Sequence, residues 1–185
     1  MKEKFIQLCR ENISRAGADD LMNWLEKSDF YKAPSSTRFH GNYEGGLVEH
    51  SVNVYNRLLQ LMPLTEAQAS PETIAIISLF HDLCKVNSYK VSTRNVKEND
   101  VWVQKPYYEF EEKLAFGGHG SKSVFLIQQF IKLTPEEATA VNCHMSCFNT
   151  APNDYSVSDA FKKYPIALLL SFADQLASFV DEKTV

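Results

Sequence analysis

The sequence predicts an all-α bundle of helices with an inserted β-hairpin, in a single domain of 185 residues. Three observations predict it. Apolar residues recur at three- and four-residue spacing through most of the chain. Helix-start signals precede several of those stretches, as in Ser70-Pro71-Glu72 and Thr134-Pro135-Glu136-Glu137. Within 86–118 the pattern changes to β-branched and aromatic residues in partial alternation.

Taken in order, residues 2–16 carry Phe5, Ile6, Leu8, Cys9 and Ile13 at helical spacing, and Gly17 breaks that helix. Residues 18–28 restart it, so 1–28 reads as a helical pair packed on the core. Residues 29–45 are rich in turn formers and read as a loop, in which Arg38 and His40 could meet an anion. A helix follows over 46–61, with His50 near its start and Pro63 beyond its end. The next runs over 71–84 and carries the adjacent pair His81-Asp82. The hairpin places one strand over 88–96, a turn at Lys97-Glu98-Asn99-Asp100, and a second strand from Val101 that Pro106 stops. Its first arm holds Lys85, Lys90, Arg94 and Lys97 and no acid, a basic ribbon that would draw anions.

Gly117-Gly118-His119-Gly120 then leads into a helix over 121–132. Thr134 caps a helix that reaches about Met145 and carries His144. Residues 148–158 read as loop, with Ser158 capping a short turn. Tyr164 to Val180 is the last helix, apolar on most sides and interrupted by one charge, Asp174.

Bulk properties narrow the function. The net charge of −4 disfavours a protein built to track long nucleic acid and suits a small anionic substrate or a short strand end. The start, Met1-Lys2-Glu3-Lys4, leads into an amphipathic segment, and no apolar run reaches the ~18 residues of a membrane span. A cytoplasmic protein with reduced thiols and no membrane partner is expected.

The polar exceptions carry the chemistry. His50, His81, Asp82, His119, His144 and Asp174 lie on or at the ends of five helical segments. Each alone reads most simply as a core residue with one hydrogen bond. A carboxylate in an apolar helix is costly without a partner, however, and six such exceptions together point to a shared ion. Imidazole with carboxylate suits zinc, manganese, iron, cobalt or nickel and excludes an all-oxygen calcium cage. Cys143-His144-x-x-Cys147 lacks the second pair a closed zinc site needs, since Cys9 and Cys84 are far off in sequence; the cysteines read as small apolar fillers.

The order Glu49-His50-Ser51, then His81-Asp82-Leu83-Cys84-Lys85, then Ser171-Phe172-Ala173-Asp174 resembles the HD superfamily of metal-dependent phosphohydrolases. The resemblance spans 38–180, with the 86–118 hairpin and loop as an insert. Cys84 stands where glycine is usual. The loop from Arg38 to Leu47 is also similar to the HD domain of bacterial 3′-to-5′ exoribonucleases, though the chain has no room for their OB-type module.

The resemblance implies an HD-domain helical bundle and hydrolysis of a phosphoester or phosphoanhydride, of a nucleotide above all, by metal-activated water. It assigns His50, His81, Asp82 and Asp174 to a first metal. His119 and His144 would complete a second, with Asp82 between the two. Asp82 and Lys85 would be catalytic, and Arg38, His40, Lys90, Arg94 and Lys122 would bind substrate. The cofactor would be one or two divalent ions of Mn, Fe, Co, Ni or Zn, or Mg. Two other readings stand beside this one: a 3′-to-5′ exonuclease on short single-stranded oligonucleotides, and a non-catalytic module that binds metal and nucleotide.

Overall fold

The computed structural model describes residues 1–146 and 154–182. Its first two helices are α1 (Lys2–Asn12) and α2 (Ala18–Lys27). Helix α1 ends earlier than its apolar pattern suggests, because Ile13 turns extended and Glu72 takes over the next backbone donors. The Glu72 carboxylate accepts the N–H groups of Ser14 (2.8 Å) and Arg15 (2.9 Å). Gly17 has φ 89°, and a Cβ there would lie 1.9 Å from the Phe130 carbonyl oxygen, so this turn needs glycine twice over.

The central helices are α3 (Gly46–Leu61), α4 (Pro71–Phe80), α5 (His119–Ile127), α6 (Pro135–Cys143), α7 (Ser156–Lys163) and α8 (Pro165–Leu176). Ser70 caps α4 by accepting from Thr73 N–H, and Thr134 with Glu137 forms a reciprocal capping box on α6. Helix α3 packs on α4 and α8, and α8 packs on α6. Their shared core buries Leu47, Val52, Ile76, Leu79, Leu170 and Ala173, and Phe5, Leu21 and Leu25 of the first two helices belong to it. Each such large side chain contributes about 1.5–3 kcal/mol on burial.

Strands β1 (Tyr89–Glu98) and β2 (Val101–Phe110) pair antiparallel around Asn99-Asp100, whose positive φ values (48° and 65°) suit a tight two-residue turn. With two ten-residue strands the chain is mainly helical rather than all-α. The ribbon also corrects the expectation that Pro106 stops the second strand. Hydrogen-bonded and open pairs alternate outward from Glu98–Val101, so Thr93–Pro106 falls on an open pair, where proline gives up no ladder bond.

Other boundaries differ as well. Helix α4 stops at Phe80 rather than residue 84. Helix α5 begins at His119 and ends at Ile127, then tightens into turns. Ser158 does not cap a turn; it lies in the first turn of α7, a helix the sequence pattern did not reveal. Helix α8 ends at Leu176 and passes into a π-helical turn, Ala177–Asp181, with Phe179 and Val180 exposed. Cys147 and most of the expected 148–158 loop lie outside the described residues. No described helix is long and apolar enough to cross a membrane.

Candidate metal centre

On a regular helix the neighbours His81 and Asp82 would project about 100° apart. The chain removes that conflict by ending α4 at Phe80. Asp82 takes φ −108° and ψ 23°, and a 3-10 turn, Leu83–Lys85, is closed by Lys85 N–H donating to Asp82 C=O at 3.0 Å. His81 Nε2 then lies 3.4 Å from Asp82 Oδ2. His50 arrives from α3 with Nε2 3.1 Å from His81 Nε2, 3.5 Å from Asp82 Oδ2 and 3.2 Å from Asp174 Oδ1 of α8. His144, just past α6, places Nε2 3.5 Å from Asp82 Oδ1.

The far side of each ring fixes its protonation. His81 Nδ1 donates to the Ser78 carbonyl (2.8 Å), and His144 Nδ1 to the Val141 carbonyl (2.7 Å). A carbonyl can only accept, so the proton sits on Nδ1 and the neutral ring keeps its Nε2 lone pair for the cluster. His50 Nδ1 likewise donates to Glu182 Oε1 at 2.9 Å. Two lone pairs, two carboxylates and a His50 Nε2 that takes up either a proton or an ion therefore face one another. Such groups repel unless a cation or a proton joins them. Asp82 Oδ1 and His144 Nε2 are buried and have no hydrogen-bond partner. Buried atoms of this kind are expensive, at about 1–3 kcal/mol each. The donor set thus fits a divalent metal ion held by imidazole and carboxylate.

The electrostatics agree. Burial pushes His50 down, but hydrogen bonds to Asp174 and Glu182 outweigh it and hold the ring up to about 10. The field that favours a proton at His50 favours a metal ion by the same sign. Burial raises the Asp82 carboxyl, but Lys85 and His81 outweigh it and hold it well below the usual range. Burial would neutralise Lys85, but Asp82 at 2.6 Å keeps it cationic. Burial first, then neighbouring cations, lower His119, and its buried Nδ1 has no hydrogen-bond partner. His119 groups with Asp82 and Cys84 within 4.8 Å, which brings a thiol beside the centre that the sequence assigned to packing.

A cavity of about 620 Å³ opens onto this cluster and is lined by Asp82, Lys85, His119, His144, Asp174 and His40. His40 stacks beside His50, with ring centroids 5.1 Å apart, and burial lowers it to about 4. Near neutral pH it would face any bound phosphate as a neutral ring rather than as a cation. Arg38 and Arg94 line a neighbouring cavity of about 580 Å³ instead. Lys90 and Lys122 line neither: Lys90 is exposed and pairs with Glu109 at 3.5 Å, while Lys122 is buried against Glu112. Their charge is spent on the insert.

Sequence reasoning missed Glu182. Its carboxylate also accepts from Asn53 at 3.2 Å, and Arg57 grips the preceding Asp181 through Nε at 2.7 Å. His50, Asn53 and Arg57 share a face of α3, so that face holds the π-helical turn that delivers Glu182. Polar residues at 53 and 57, on the same face as His50, were the available signal.

A mainly helical bundle that gathers imidazoles and carboxylates from successive helices around one centre defines a class of metal-site protein. The family model for the HD domain matches residues 47–178, more than half the chain, and the chain belongs to that family. Membership implies a metal-dependent phosphohydrolase. Among curated proteins, and likewise among solved structures, nothing matches.

Proposed function

We propose that the chain hydrolyses a phosphoester or phosphoanhydride, most naturally of a nucleotide, in the cavity above the Asp82 cluster. One observation carries this reading. Three imidazoles, each tied at Nδ1, present Nε2 to carboxylates that have no proton to share. His50, His81, Asp82 and Asp174 would hold one ion; His119, which groups with Asp82 and Cys84, and His144, 3.5 Å from Asp82, would complete a second. When bound, such a divalent ion supplies Lewis acidity and lowers the pKa of water to about 7.

The chain's own groups supply the rest. Lys85 lines the cavity wall as a cation 2.6 Å from Asp82, where charge developing on phosphoryl oxygens would meet it. The Nδ1 bonds orient the rings before substrate arrives, so no rearrangement is needed at the moment of reaction. The cavity's apolar wall, with Phe39, Phe110 and Phe179, suits a nucleobase.

The test is a panel of nucleoside mono- and triphosphates, cyclic nucleotides and dinucleotides, assayed with Mn, Co, Ni, Zn and Mg. Phosphate or nucleotide release that chelation abolishes and metal restores supports the reading. A panel on which chelation changes no rate contradicts it.

A further inference from the structure

The described cysteines Cys9, Cys84 and Cys143 are all free and buried, but Cys84 keeps different company from Cys9. Cys9 belongs to the apolar core, as a small filler should. Cys84 is 5% exposed, yet it lies outside that core. Its thiol meets Ser123 and sits in the field of Asp82, Lys85 and Lys122. Cys84 Sγ, an Asp82 oxygen and a His119 ring nitrogen all lie within 4.8 Å of one another.

The backbone holds this trio in place. Cys84 N–H donates to Ser123 Oγ of α5 at 3.1 Å, and Cys84 C=O accepts from Ser88 Oγ at 3.1 Å. The first of these bonds ties the 3-10 turn to α5, the helix that begins with His119. That helix sits close on α6: a Cβ on Gly120 would lie 2.2 Å from the Asn142 carbonyl oxygen. The His119 ring rests against Phe110, with centroids 6.1 Å apart. Two polar atoms of the trio's side chains lack partners. Asp82 Oδ1 and His119 Nδ1 are buried without a hydrogen bond, and Asp82 as a whole is 3% exposed. Lys85 is spent on the other oxygen, Oδ2, and Lys122 on Glu112. Asp82 and His119 also line the cavity over the cluster. Three protein ligands that reach an open cavity are the arrangement of catalytic rather than closed zinc sites.

We infer that Cys84 is a thiolate ligand of the second ion, beside His119 and Asp82, and that it makes this position selective for zinc over manganese and magnesium. Thiolate is a soft donor, and ions that prefer carboxylate and water gain little from it. Binding replaces the Sγ–H bond with an Sγ–metal bond, and the proton passes to solvent. The inference rests on the two-ion arrangement of the proposed function, not on the reaction assigned to it.

Ligation is tested separately from turnover, by X-ray absorption at the zinc edge on the full chain saturated with zinc. Sulfur lies about 2.3 Å from zinc and nitrogen or oxygen about 2.0–2.2 Å, so a sulfur shell stands apart from the rest. The parent should show that shell, and Cys84→Ala should lose it. In equilibrium dialysis the weaker zinc equivalent of Cys84→Ala should fall in affinity by about 100-fold or more, since loss of a group behind a ligand already costs about 10–100-fold. Manganese affinity should stay as in the parent. Cys84→Ser, which keeps the shape without the soft donor, should behave as Cys84→Ala does, and circular dichroism checks that both fold. Cys9→Ala, which removes a buried thiol of α1, should keep the sulfur shell. Saturated zinc without sulfur, or sulfur that survives in a folded Cys84 variant, overturns the inference and leaves the hydrolytic reading untouched. A sulfur shell in a chain that hydrolyses no substrate would leave the inference standing and sink the proposed function instead.

Discussion

Replacing Glu182 by Gln keeps the side chain's shape and removes its charge. In the structure the Glu182 carboxylate is 1% exposed and accepts from His50 Nδ1 at 2.9 Å. Asn53 donates to the same oxygen at 3.2 Å, while Oε2 is buried without a partner. A glutamine must aim its single oxygen at His50 and Asn53, which leaves its amide N–H groups where Oε2 now lies. Hydrogen bonds to a charged group contribute about 1.5–3 kcal/mol, and at about 1.4 kcal/mol per decade the lost charge should weaken metal binding by roughly 10–100-fold. Carboxylates behind metal-bound histidines have effects of that size elsewhere. Equilibrium dialysis against Zn or Mn with elemental analysis measures it, and circular dichroism reports whether the helices persist. Unchanged metal affinity in a folded Glu182→Gln variant would refute the claim that Glu182 orients a metal ligand.

Other perturbations give distinct outcomes. Asp82→Ala should strip most bound metal while the helices remain, whereas His119→Ala and His144→Ala should each lower metal content only in part; equal content in all three would contradict the assignment. Glu137→Ala removes a fully buried carboxylate that accepts from Arg15 at 2.6 and 3.0 Å, from Thr134 N–H at 2.8 Å and from Thr73 at 2.9 Å. Breaking such a pair costs about 3–5 kcal/mol, so Tm should fall by roughly 6–20 °C in a chain of this size. Burial raises the Glu137 carboxyl, but Arg15, Thr134 and Thr73 outweigh it and hold it below its ordinary value. Its contribution is therefore full above about pH 4.3 and is lost as pH falls through the lower folded value. The gap in Tm between parent and variant should narrow on acidification, and a gap independent of pH would argue against an ionic role. Gly17→Ala should cost about 2–4 kcal/mol in denaturant melts, from positive φ and the Phe130 carbonyl, and a neutral effect would contradict the close approach.

Much of this was readable from local chemistry. Thr134-Pro135 and Ser70-Pro71 announce their helices because capping acts within one turn. The histidines and aspartates stood out because each broke an apolar pattern, and such a break needs a partner wherever the chain goes. What local pattern could not give was the bend at Phe80, which depends on the centre the two side chains must share. Glu182 was hidden for a similar reason. It sits in a charged stretch, Asp181-Glu182-Lys183, which reads as a solvated end until Asn53 and Arg57 of α3 are seen to draw it in. The basic arm of the hairpin illustrates the converse: Lys90 and Lys97 read as a charged ribbon, and pairing with Glu109 and Asp100 removes most of that field.

Crystals soaked in Mn or Zn, with anomalous diffraction recorded at the metal's absorption edge, test the central claim most directly. A peak bounded by His50, His81, Asp82 and Asp174 is the expected result. A difference map whose only peaks lie away from those four side chains would contradict it.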